Sequence, residues 1–259
     1  MTGPLDITPL GLSVTLIFVL LAGAASTALH LGLGKDLLIG TVRTVAQLYL
    51  MAFVLRTVFA LRDWYLVLGV FTVMILFAAQ VVKGRVKEKQ LRLFWPTFVS
   101  MLLSYMTVSA VVVGVVVQAK PWYDPMYFIP IGGMVIGNSV SAIAVATERL
   151  LTDLRRRRAE VELLLCLGAD ASQASADIFR GAVRSGMIPS ITSMMGVGIV
   201  WIPGMMTGQL LAGSDPLVAV EYQIVVMLML VGSTAIGSVL SLWLLRGRCF
   251  ERDGRLKLR

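Results

Sequence analysis

Seven long apolar runs, separated by short polar or basic segments, make up nearly all of this chain: residues 10–31, 37–61, 64–82, 96–117, 127–150, 188–211 and 217–245. A bilayer core of about 30 Å needs roughly 20 apolar residues per helix, and a helix pairs its own backbone where an unpaired amide in hydrocarbon costs several kcal/mol. The pattern predicts an all-α, polytopic integral membrane protein with about seven transmembrane helices in a single domain, residues 1–259. The first run is read as a span and not as a signal peptide, because nothing basic precedes it and Asp6 is the sole charge ahead of it.

The polar segments carry an orientation. Of the 23 Lys and Arg, one (Lys35) follows the first span, five lie between spans 3 and 4, seven run from Arg149 to Arg184, and six close the chain, which puts nineteen on one side. Arg62 and Lys120 are on the other side, and Arg43 and Arg56 lie inside spans. The positive-inside rule then predicts an external N-terminus and a cytoplasmic C-terminus, with 246–259 as a basic cytoplasmic tail.

Composition agrees with that class: 57% of residues are hydrophobic, 15% are charged, and the mean hydropathy is +0.83. A pI near 9.9 invites a nucleic-acid reading. Juxtamembrane placement and anionic lipid account for the same charges, so no nucleic-acid partner is expected, and the lipid bilayer is the expected surrounding. Cys166 and Cys249 both fall on the predicted cytoplasmic side, where no disulfide is expected.

Candidate chemistry narrows the function further. His30 is the sole histidine, which leaves no sensible nucleophile triad and no His/Cys zinc pattern. Gly34-Lys35-Asp36 lacks the earlier glycine and the following hydroxyl of a Walker A loop. Neither an enzyme nor a metal centre resident in the chain is expected. The fourteen methionines read as adaptable fillers between helices, although thioethers also suit Cu(I).

Transport is the remaining large class, and polar residues inside the spans are its first sign. Arg43 and Gln47, at i and i+4 on one face of the second span, fit either a translocation path or a packing contact, since an arginine at the centre of a span costs about 2.5–3.5 kcal/mol. Asn138 and Ser139 follow Gly133-xxx-Gly137, which also reads as a helix-packing signature. In the sixth run, Pro203-Gly204-Met205-Met206-Thr207-Gly208-Gln209 should break or kink the helix. A broken helix at membrane depth lines a cavity or is buried in protein, and Gly204-xxx-Gly208 offers the packing alternative. Pro203, Gly204, Met205, Thr207 and Gln209 therefore join Arg43, Gln47 and Asn138 as translocation-path candidates. Asp215, Glu221, Tyr222 and Gln223 form the acidic edge beside them.

Between the fifth and sixth runs, residues 151–187 carry a second pattern. After Arg155–Arg158 come Glu160, Glu162, three leucines, Cys166, Leu167 and then Gly168-Ala169, a short apolar helix closed by a glycine cap. A second amphipathic stretch, 171–184, precedes Ile188-Pro189. Two such helices want either a partner groove or the leaflet surface.

Glu162-Leu163-Leu164 with Gly168 six residues after Glu162 resembles the EAA loop of ABC-transporter permeases, with Leu163-Leu164 in place of two alanines and the later proline delayed to Pro189. More of the chain resembles the FetB-like iron-export permease family, whose relatives include plant aluminium-tolerance permeases. The likeness rests on Arg43-xx-Ala46-Gln47, residues 127–139, Leu165-xx-Gly168-Ala169, the run from Pro203 to Gly213 with Pro216, and Tyr222-Gln223.

The resemblance implies a permease subunit in a bacterial inner (plasma) membrane, exporting iron or a related metal species by alternating access. It implies two copies of the permease and a separate ABC ATPase that uses the ATP, with no cofactor on this chain. Glu160, Glu162, Leu164, Gly168 and Ala169 would couple to the ATPase. The alternatives are an ATP-independent secondary transporter, which the lack of a mid-span carboxylate disfavours, and a non-transporting membrane scaffold.

Overall fold

The computed structural model describes residues 8–86, 93–251 and 255–257; Asp6, Lys87, Lys89, Arg92, Arg252 and Arg259 of the charge pattern lie outside the described residues. The described residues are helical almost throughout and form no strand beyond two isolated bridges. The elements are α1 (Pro9–Val14), α2 (Leu16–Ala28), α3 (Gly34–Leu61), α4 (Trp64–Arg85), α5 (Phe94–Val111), a π turn (Val112–Val116), α6 (Pro125–Arg156), α7 (Arg158–Cys166), α8 (Ala171–Ala174), α9 (Ala176–Gly196), α10 (Gly204–Leu211) and α11 (Pro216–Cys249). Six stretches of helix are long and apolar enough to cross a membrane. Five match predicted spans closely; the sixth, Leu10–Ala28, joins α1 to α2 across Thr15.

The expected single span at 188–211 is instead two helices. α9 starts twelve residues earlier and stops at Gly196, and α10 starts at Gly204. The separate amphipathic helix expected at 171–184 is likewise replaced by the single turn of α8 and the first half of α9. Pro189 lies inside α9 and does not begin a new element.

A bundle of α4, α5, α6, α9 and α11 forms the core, with α6 and α11 at its centre. At 32 and 34 residues, these two helices run to about 48 and 51 Å at 1.5 Å per residue, longer than a bilayer core, so their ends stand clear of it. Phe71, Ile75, Met101, Tyr105, Phe128, Val135 and Ile143 fill one end of the core. Leu150, Leu154, Val161, Ile178, Leu242, Leu245, Phe250 and Leu256 fill the other. Small residues set how closely the helices approach. A Cβ on Gly132 would sit 2.2 Å from the Phe71 ring, and one on Gly186 would sit 2.8 Å from the Ala142 carbonyl oxygen and 2.7 Å from the Ala146 Cβ. Gly133 is the looser neighbour, and Gly137 meets nothing within 4 Å. The glycine contact on α6 is therefore one residue earlier than the Gly133-xxx-Gly137 spacing suggests.

α2 and α3 stand at the edge. Each buries a single residue, Ser26 and Val58 respectively, and α3 reaches the core through Met51, Val54, Leu55 and Val58. The rest of their apolar surface, including Leu38, Val42, Leu50 and Phe53, is exposed.

Candidate functional site

Two regions carry most of the predicted positions, and α9 joins them. The first is the turn at the arginine-rich end. α6 ends at Arg156, and α7 turns away from it after Arg157. Arg157 pairs with Glu160 through both carboxylate oxygens, Nε donating to Oε2 at 2.8 Å, and Arg158 Nε reaches Glu162 Oε1 at 2.7 Å. The Arg157 guanidinium holds the Glu160 carboxyl below its ordinary range, chiefly by that hydrogen bond. Glu160 and Glu162 thus brace the start of α7.

At the other end of α7 the backbone reverses. Gly168 takes φ +93°, its N–H donates to Leu165 O at 3.1 Å, and Ala169 N–H donates to Leu164 O at 3.0 Å. This pair of bonds is a Schellman cap, which explains why glycine stands at 168. One residue on, Asp170 and Gln173 form a capping box at 2.7 and 3.0 Å that starts α8. The inward face of α7 is fixed by buried Val161, with Leu164, Leu165 and Ala169 packed behind it. Its outward face shows Leu163 at 59% and Leu167 at 74% exposure, with Cys166 exposed between them. Leu164 therefore faces the core, and its neighbours Leu163 and Leu167 form the free surface.

The C-terminal residues complete this end. Phe250 bridges to Leu256, Glu251 N–H donates to Arg255 O at 2.7 Å, and Lys257 N–H donates to Cys249 O at 2.8 Å. Phe250 and Leu256 are buried in the same cluster as Val161, so of the expected basic tail 246–249 continue α11, and the described residues 250–251 and 255–257 lie on this end of the core. Between them lies a groove of about 1100 Å³ edged by Arg158, Glu162, Asp170, Glu251, Arg255 and Lys257.

The second region is the break after α9. Val197 leaves the helix in extended geometry, Gly198 takes φ +84°, and Gly198 N–H donates to Trp201 O at 2.9 Å, closing a tight loop. Pro203 is buried and caps α10, where both the backbone and the hydroxyl of Thr207 donate to its carbonyl at 2.9 and 3.0 Å. The proline thus starts a helix; Gly196 and Gly198 end the previous one. Gly196 lies twelve residues past Arg184, about 18 Å along the axis, which sets the loop deep in a core about 30 Å thick if Arg184 marks the boundary. Met194, Val197 and Met205 pack on the core, and the Gln209 Oε1 is buried with no hydrogen-bond partner among the described residues. A Cβ on Gly204 or Gly208 would meet nothing within 4 Å, so neither glycine is required by a close approach of another helix.

The remaining path candidates are not gathered in. Arg43 and Gln47 lie on the exposed side of α3, and Asn138 is exposed on α6. Its neighbour Ser139 is buried. It belongs to a seam of hydroxyls that the sequence reading missed, at the meeting of α5, α6, α9 and α11. Thr234 Oγ1 lies 3.4 Å from Ser139 Oγ and 3.3 Å from Ser190 Oγ, which donates to it, while Ser104 Oγ donates to Ser233 O at 3.3 Å. Ser109, Thr147 and Ser238 add buried hydroxyls with no partner among the described residues. The available signal was spacing: Ser100 and Ser104, then Ser233-Thr234, Ser238 and Ser241, recur at three to five residues and so share helix faces.

Comparison with known proteins fixes the lineage. Residues 9–250 match the family described as Uncharacterised protein family (UPF0014). The chain belongs to this family. UPF0014 membrane protein slr1647 of Synechocystis is 36% identical over 85% of this chain and 86% of its own length. Probable iron export permease protein FetB of Escherichia coli is 30% identical over 92% of this chain and 91% of its own. Protein ALUMINUM SENSITIVE 3 of Arabidopsis thaliana is 30% identical over 90% and 84%. No solved structure matches. This UPF0014 chain is thus a multi-pass membrane protein, and the relatives it matches include a probable iron export permease. Among its described residues no three His, Cys, Asp or Glu side chains come together to hold a metal ion.

Proposed function

We propose that this UPF0014 protein is the membrane subunit of an ABC exporter, moving iron or a related metal species across a bacterial plasma membrane, its arginine-rich end facing the cytoplasm. Two copies form the pathway, and separate ATPase subunits bind and hydrolyse the ATP. The observation that carries the reading is the α7 turn. It offers Leu163, Cys166 and Leu167 outward on a helix braced at one end by two ion pairs and at the other by a Schellman cap. Such a surface suits the apolar groove of a partner subunit, and beyond the single turn of α8 the helix α9 runs without interruption to the break at 197–203. The likeness to the probable iron export permease of Escherichia coli supports the substrate class.

In this mechanism ATP-driven closure of the ATPases displaces α7 and α8, and α9 carries that motion to the loop before Pro203. Met205, Thr207 and Gln209 lie just beyond it, where the alternating opening is read out, Met205 and Gln209 on the inward face of α10 and Thr207 on its exposed face. Their donors are a thioether, a hydroxyl and an amide, and weak neutral donors let a metal species pass without trapping it.

The double substitution Leu163→Glu and Leu167→Glu tests the coupling surface. Both side chains are exposed, so membrane insertion should be retained while ATPase co-purification and permease-stimulated hydrolysis are lost. Retention of both activities would sink the assignment. Cellular iron content and efflux, measured with and without the permease, test the substrate; an unchanged iron pool with normal iron tolerance removes iron.

A further inference from the structure

The flank of α9 against α11 holds a groove of about 480 Å³, lined by Phe179, Arg180, Val183, Arg184, Met187, Ile188, Ile191 and Val239. We propose that this groove binds one acidic phospholipid, its phosphate at Arg180 and Arg184 and an acyl chain along Met187, Ile188, Ile191 and Val239. The inference is independent of the transport reading above.

The argument is one of layering. Positions 180, 184, 187, 188 and 191 fall on a single face of α9, so the lining changes from cationic to purely apolar within about 10 Å, the rise of seven residues from Arg184 to Ile191. The partner helix changes at the same level: Arg246 and Arg248 stand at its end, exposed Trp243 comes next, and Val239 is one turn deeper. Tryptophan concentrates where headgroups meet hydrocarbon, so both helices place the same interface between their arginines and their apolar residues.

The cations are available for a ligand. Arg184 is exposed and makes no hydrogen bond or ion pair among the described residues. Arg180 is held only by Asp177 at 3.3 Å, a contact in which both side chains are 78% exposed. Arg246, by contrast, is already placed over the Phe179 ring at 4.9 Å. Two guanidiniums above an apolar slot between membrane helices, Arg184 unpaired among the described residues and Arg180 in one exposed ion pair, match a phosphodiester with a hydrocarbon tail, and a zwitterionic headgroup would set its own cation against them.

Native mass spectrometry of the detergent-purified full chain, titrated with dioleoyl-phosphatidylglycerol or dioleoyl-phosphatidylcholine, tests the site. Selective binding of one phosphatidylglycerol is expected. Arg180→Gln or Arg184→Gln should each weaken it about fivefold and the pair roughly 30-fold, the scale of a cation beside an anionic lipid. Arg62→Gln, on the helix cap of α3, should leave it unchanged, and circular dichroism of each variant confirms the fold. Inorganic phosphate in excess should not displace the lipid. Equal affinity for the two lipids, full binding by the double variant, displacement by phosphate, or loss of the site when two copies associate would each overturn the proposal.

Discussion

Gly186 offers a direct test of the bundle, because its substitution to alanine puts two opposing effects of known size in one place. Replacing glycine with alanine inside a helix is worth about 0.5–1 kcal/mol in its favour, through the entropy of the unfolded chain. Against that, a Cβ at 186 would sit 2.7 Å from the Ala146 Cβ and 2.8 Å from the Ala142 carbonyl oxygen. Carbon contacts relax at about 3.5–4.0 Å, so α6 and α9 would have to part by roughly 1 Å, and one of the two obstacles is backbone that cannot swing aside. Overpacking of that kind costs about 1–3 kcal/mol. The clash wins, and Gly186→Ala should be destabilised. Gly181→Ala on the same helix has nothing within 4 Å and should be neutral or stabilised. Denaturant titration in mixed micelles, followed by tryptophan fluorescence, should separate the two variants by about 1–3 kcal/mol, the overpacking cost alone. Adding Ala146→Gly should recover part of the loss and not all, since the Ala142 carbonyl remains. Equal stability of Gly186→Ala and Gly181→Ala would refute the close approach of α6 and α9.

Two further substitutions probe the site. Gly168→Ala forces a Cβ into left-handed backbone at φ +93° and should cost about 1–2 kcal/mol locally, read, under the proposed coupling, as slower permease-stimulated ATP hydrolysis with normal membrane insertion. Insertion and hydrolysis at the parental rate would show that the cap is dispensable. Thr234→Val removes the hydroxyl shared by Ser139 and Ser190, and should cost about 1 kcal/mol, two bonds at the average of about 0.6 kcal/mol between membrane helices, in the same micelle titration. A loss above 2 kcal/mol would mean that the seam holds more of the bundle than its hydrogen bonds explain.

The spans, the α7 turn and the existence of a break were legible in the sequence because each rests on a local signal: apolar length, a glycine after a short amphipathic helix, and helix-breaking residues. The position of the break was misplaced for a physical reason. Pro203-Gly204 drew attention as a disruption, yet proline is at home at a helix start, while Gly196-Val197-Gly198 supplied the φ of +84° that ends α9. The seam escaped notice because serine and threonine in helices satisfy themselves on the preceding turn, as Thr97, Ser100 and Thr107 do here, so composition alone does not reveal which hydroxyls reach another helix. The exposure of Arg43 and Gln47 lies beyond any sequence argument, since it depends on how little α3 touches the bundle.

What the structure adds to the pattern is continuity and a pinned midpoint. α9 runs 21 residues, about 31 Å, from the capped turn beside α7 to the loop at Gly196. Near its middle it is held on both sides of Pro189: Gly186 lies against α6 on one side, and Ser190 donates to Thr234 of α11 on the other. Pro189 itself has no N–H for the Ser185 carbonyl, so the helix is softest between its two points of attachment. The first half of α9 is packed as well, with Ile178 and Ala182 buried, so under the proposed coupling it moves with that end of the bundle, and Pro189 is where the motion bends toward the loop before Pro203.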